Sequence, residues 1–104
     1  MQDSIEAKLI KLSERLSEIE KQLIEESSTL NQDDLISLNK EFSHIQPIVD
    51  LYSKYLKVLD ENTQAISLSK SDENEIKELA QIEVEETENS MNEILGELKL
   101  MLLP

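Results

Sequence analysis

Cysteine is absent from this 104-residue chain, so no disulfide and no thiolate chemistry is available to it. That fits a reducing compartment and points to the cytoplasm. Glycine occurs once and proline twice, too few for a strand-and-turn fold. A single glycine also excludes a glycine-rich phosphate loop. Basic residues are scarce, with 10 Lys and Arg against 23 Asp and Glu, a formal charge of -13. Phosphate contacts need Lys and Arg, so direct binding to nucleic acid is disfavoured. An anionic membrane surface is disfavoured on the same ground. A basic protein partner fits, because long-range attraction speeds encounter. The opening "MQDSIEAKLI" lacks a basic region followed by an apolar block, so no signal peptide is read there. The longest greasy stretch, the closing "LKLMLLP", is far too short to span a bilayer.

What remains is rich in Leu, Ile, Glu, Lys, Ser and Gln, residues that favour helix. Apolar side chains recur at Ile5, Leu9, Leu12, Leu16, Ile19 and Leu23, a heptad-type seam. Asp3 stands where an N-cap would, with Glu6 as its reciprocal partner. A second seam runs through Leu35, Leu38, Phe42, Ile45, Val49, Tyr52, Leu56 and Leu59, with Ile66 as an extension. Asn31 is its expected N-cap, with Leu30 and Leu35 as a hydrophobic staple. Pro47 interrupts this seam and costs a helix about 3 kcal/mol. The apolar phase survives it, so one long helix kinked near Pro47 is expected. The third seam is Ala80, Val84, Thr87, Met91, Ile94, Leu98 and Met101, preceded by Ile76 and Leu79 and capped by Ser71 or Asp72. Gly96 is its weak spot, and Leu95, Leu100, Leu102 and Leu103 widen its apolar stripe near the end.

The pattern predicts helices over about 4–26, 32–67 and 72–102 in one domain. The fold class expected is all-α, an elongated antiparallel three-helix bundle (up-down-up) with coiled-coil-like packing. Ile19→Ala and Leu56→Ala should each cost about 2–5 kcal/mol if both lie in the core.

Chemistry-bearing groups are few. His44, the one histidine, forms a Glu-x-x-His pair with Glu41, a spacing used by carboxylate-bridged di-iron bundles. Those bundles need two such pairs, and His44 points away from the Phe42–Ile45 seam, so a solvated histidine is the better reading. Glu83, Glu85, Glu86 and Glu88 cluster off the third seam. Paired carboxylates do acid–base work when one is buried; these read instead as a solvated face or as a docking surface for a basic partner. Serines such as Ser27, Ser28, Ser67, Ser69 and Ser71 fall at loops and caps, where hydroxyls satisfy helix ends. Tyr52 belongs to the second seam, and Tyr55 flanks it as rim or partner contact. No catalytic residue, cofactor site or metal site is expected, and the partner-binding residues are left open.

The stretches "SIEAKLIKLSERLSEI", "LISLNKEFSHIQPIVDLYSKY", "DENEIKELAQIEVEE" and "LGELKLMLLP" together resemble, in order, the N-terminal domain of bacterial class I peptide chain release factors. "KEFSHIQPIV" and the closing Leu-Leu-Pro look more like release factor 1 than its paralogue, release factor 2. The resemblance implies that Pro104 is a boundary followed by a linker and further domains. It implies that the Pro-x-Thr tripeptide that helps read stop codons, and the Gly-Gly-Gln loop that promotes peptidyl-tRNA hydrolysis, both lie outside these residues. It implies an auxiliary, non-enzymatic domain reaching a basic protein at the ribosomal stalk base, with interplay with the class II release factor. The residues by themselves leave an unrelated acidic interaction or structural bundle open.

Overall fold

The computed structural model describes Met1 and residues 3–104. Among them are three α-helices and no strand: α1 (Asp3–Glu25), α2 (Gln32–Leu68) and α3 (Asn74–Met101). The expected all-α, three-helix class holds. The chain forms two compact units, Met1–Asp50 and Leu51–Pro104, so the boundary falls inside α2.

In the first unit, α1 lies along the first part of α2. The connector over residues 26–31 is tight: the Thr29 and Leu30 amides both donate to the Glu26 carbonyl at 3.0 Å. So short a link forces the two helices to run antiparallel. Asn31 caps α2 as expected, its Oδ1 accepting from the Asp34 amide at 2.8 Å. Asp3 does not cap α1; the helix begins at that residue, which places Asp3 and Glu6 in the first turn. There their charge favours the positive end of the helix dipole. Leu16, Ile19 and Ile45 form the buried centre, with Leu12, Leu23, Leu38, Phe42 and Val49 packed against it. Burying three such side chains removes about 1.5–3 kcal/mol each from the cost of ordering the chain.

Pro47 does not break α2, which continues through it to Leu68. Pro47 is exposed, and so is Ser43, whose carbonyl loses its helical donor to the proline ring. Water can therefore satisfy that carbonyl.

In the second unit, the rest of α2 pairs with α3 through the connector over residues 69–73. The buried side chains here are Tyr52, Tyr55, Ala65, Ala80, Ile94 and Leu98, together with the polar Asn62 and Thr87. This corrects the second seam. Leu56 and Leu59 are 43% and 38% exposed, Ile66 is 38% exposed, and Tyr55 is buried rather than at a rim. The buried stripe steps from Ile45 to Ile48 to Tyr52 to Tyr55: Ile48 and Tyr55 stand one residue before the expected Val49 and Leu56, while Tyr52 keeps its expected place. The 3-and-4 spacing is kept, but the buried set already departs from the expected one at Ile48, within the first unit.

Asn62 Nδ2 donates to Thr87 Oγ1 at 2.9 Å, and that hydroxyl donates in turn to the Glu83 carbonyl at 2.8 Å. A polar pair in a helix–helix seam is tolerated only when its atoms are satisfied, and it fixes the register of the two helices. On α3 the seam holds through Leu98, but Met101 is exposed and Leu102 takes the inner place. The cap of α3 is Glu73, not Ser71 or Asp72; the Ser71 hydroxyl instead accepts from the Glu73 amide at 3.2 Å. A Cβ at Gly96 would meet nothing within 4 Å, so packing does not require the glycine.

Candidate docking surface

α3 turns Val84 and Thr87 inward. At about 100° per residue, that places Glu83, Glu85, Glu86 and Glu88 on the outer and flanking faces. All four are exposed, as is every other carboxylate from Asp72 to Glu97, where ten acidic residues face one basic residue, Lys77. The described residues hold salt bridges only at Arg15, to Glu41 at 2.6 Å and to Glu18 at 3.5 Å, so none engages α3. The acidic face of this helix is therefore uncompensated from within its own unit.

Beside it, α2 and α3 enclose an open groove of about 420 Å³. Ala65 and Ala80 are buried at its floor, and their small side chains give it depth. Leu68, Ile76 and Leu79 form the walls and are 56%, 38% and 64% exposed. Glu61 and Glu83 also border it. The α2 row (61, 64, 65, 68) and the α3 row (76, 79, 80, 83) repeat the same i, i+3, i+4, i+7 spacing. That spacing presents one continuous stripe on each helix. In the sequence, Ile76, Leu79, Ala80 and Glu83 stand out as part of the third seam and its acidic flank, whereas the α2 row does not stand out. The α2 row, Glu61, Gln64, Ala65 and Leu68, is half polar and carries no apolar signal of its own.

The remaining candidates separate clearly. Glu41 is engaged by Arg15, which donates through Nε at 2.6 Å and through an Nη at 2.8 Å. This hydrogen-bonded pairing holds the Glu41 carboxyl below its usual range and raises the Arg15 guanidinium. His44 is exposed. Among the described residues no group of three or more His, Cys, Asp or Glu is placed to hold a metal ion. Ser69 donates to the Ile66 carbonyl at 2.6 Å and Ser71 supports the start of α3, as hydroxyls at helix ends do. Among the described residues no helix is long and apolar enough to cross a membrane.

Comparison with known proteins places the chain. It is similar to peptide chain release factor 1 of Chloroherpeton thalassium, with 38% identity over 94 residues, which is 89% of this chain and 26% of that protein. The chain thus spans about a quarter of that relative's length. No solved structure matches. The family model of the PCRF domain matches residues 12–104, from the middle of α1 through the whole of α2 and α3, and the chain belongs to that family.

Proposed function

We propose that this chain is the N-terminal domain of a longer, cytoplasmic, class I peptide chain release factor, of the release factor 1 kind, and that it docks the factor on the ribosome without catalysis of its own. The family and the relative's name support the release-factor reading. The observation that carries the docking role is the uncompensated acidic face of α3. A row of exposed carboxylates attracts a basic protein surface and repels RNA, so a basic ribosomal protein suits it as counterpart, and the resemblance to release factors implies one in the stalk-base region. Interplay with the class II release factor belongs to the same auxiliary role. Stop-codon reading and promotion of hydrolysis fall to other parts of the parent.

Competition tests this. Excess free chain, added to a release assay with an intact factor on stop-codon-programmed ribosomes, should raise the factor concentration needed for half-maximal release and leave the maximal rate unchanged. The effect should fade as salt rises, because attraction between exposed charges is screened within about 10 Å at 0.1 M. Release indifferent to the free chain at low salt would refute docking through this domain.

A further inference from the structure

We propose that the groove between the α2 row (61, 64, 65, 68) and the α3 row (76, 79, 80, 83) seats one amphipathic helix of a protein partner. The inference rests on the docking reading and specifies what docks. Five of the eight lining residues are apolar (Ala65 and Leu68 on α2; Ile76, Leu79 and Ala80 on α3), with Glu61, Gln64 and Glu83 completing the rows, and such a trough between two helices can accept a third at the shallow crossing angle of bundle packing. The trough is deep because its floor is alanine, and of its walls Leu68 and Leu79 are more than half exposed and Ile76 over a third.

Its two ends differ. Leu68 and Ile76 flank the connector over residues 69–73, whereas Glu61 and Glu83 lie seven residues further along each helix, about two turns or 10 Å away. Lys70 and Lys77 are exposed near the connector but do not line the groove. The matching helix therefore carries apolar anchors at one end and Lys or Arg about two turns along the same face. A second copy of this chain is a poor occupant, because each copy carries a formal charge of -13. A small molecule is a poor occupant as well, since the trough is open along its length and offers carboxylates as its charged groups.

The test titrates the whole chain with a fluorescein-labelled helical peptide of about five turns, with Leu at one end of a face and Lys at the other. Saturable binding is expected by anisotropy at low salt. Leu79→Ser should weaken it about tenfold, a large effect for one exposed side chain. Replacing the peptide's leucines by serine should do the same, and the pair Glu61→Gln and Glu83→Gln should weaken it severalfold. Glu14→Gln with Glu20→Gln, exposed carboxylates of α1 outside both the groove and the acidic face of α3, should change it less than about twofold. Leu79 is exposed enough that its serine variant should keep its helicity, which circular dichroism checks; Leu68→Ser is the independent second variant. Equal binding by the Leu79→Ser chain, or by the serine peptide, would overturn the groove as the seat. So would sedimentation showing a dimer that Leu79→Ser dissolves. The competition assay keeps the two readings apart. A Leu79→Ser chain that competes as well as the parent sinks the groove and spares docking, whereas a parent chain that never competes sinks docking whatever the peptide does.

Discussion

Ile19 has no exposed surface, while Leu56 keeps 43% of its own. Truncating the first leaves a cavity among close-packed neighbours, and truncating the second mostly removes a side chain from water. Ile19→Ala should therefore cost about 2–5 kcal/mol in urea unfolding. Leu56→Ala should cost less than about 1 kcal/mol, as expected for a side chain with no cavity to leave. The Arg15–Glu41 pair is a residue-scale case of a different kind. Its two side chains remain 35% and 38% exposed, so water screens much of the attraction. A coupling below about 1 kcal/mol is expected from a double-mutant cycle in spite of the two-pronged geometry. The sign of its pH dependence follows from the lowered Glu41 carboxyl. The stabilisation is present above the ordinary carboxylate pKa and is lost as pH falls through the lower, folded-state value. Unfolding of the Glu41→Gln variant should thus differ from the parent at neutral pH and converge with it in acid.

At the scale of the element, the Asn62–Thr87 pair tests how α2 and α3 hold register. Thr87→Val keeps the shape but deprives the buried Asn62 amide of its acceptor. An unsatisfied buried donor costs about 1–3 kcal/mol. Adding Asn62→Leu should recover a good part of that loss, and chemical denaturation of the four proteins of the cycle measures it. This pair also explains where the sequence was legible. The α1 seam and most of the α3 seam could be read because apolar side chains occupy nearly every inner position, from Leu9 to Ile19 and from Ile94 to Leu98. In the later part of α2 the inner positions go to Asn62 and Ala65, which a count of large apolar residues passes over. Leu56, Leu59 and Ile66 continue the earlier phase and attract the eye, yet they are left half in water. Periodicity reports what one helix could bury; it does not report which of two adjacent stripes the neighbouring helix covers.

For the whole molecule, the acidic balance was plain from composition, and so was the exposed carboxylate row of α3. The groove was not, because its walls come from residues on two helices on either side of a connector, and no local pattern announces that they meet. The Arg15–Glu41 bridge escaped for the same reason, joining positions 26 residues apart. Under the proposed function, this acidic surface has its setting in translation termination. The central claim is that the domain recruits a release factor and does not arrange its chemistry. Peptide-release kinetics on stop-codon-programmed ribosomes address it most directly, comparing the intact parent factor with one lacking residues 1–104. Recruitment predicts that release slows at low factor concentration while the maximal rate survives at saturation. A maximal rate that collapses even at saturation would contradict it, and would mean that this domain positions the parts that act.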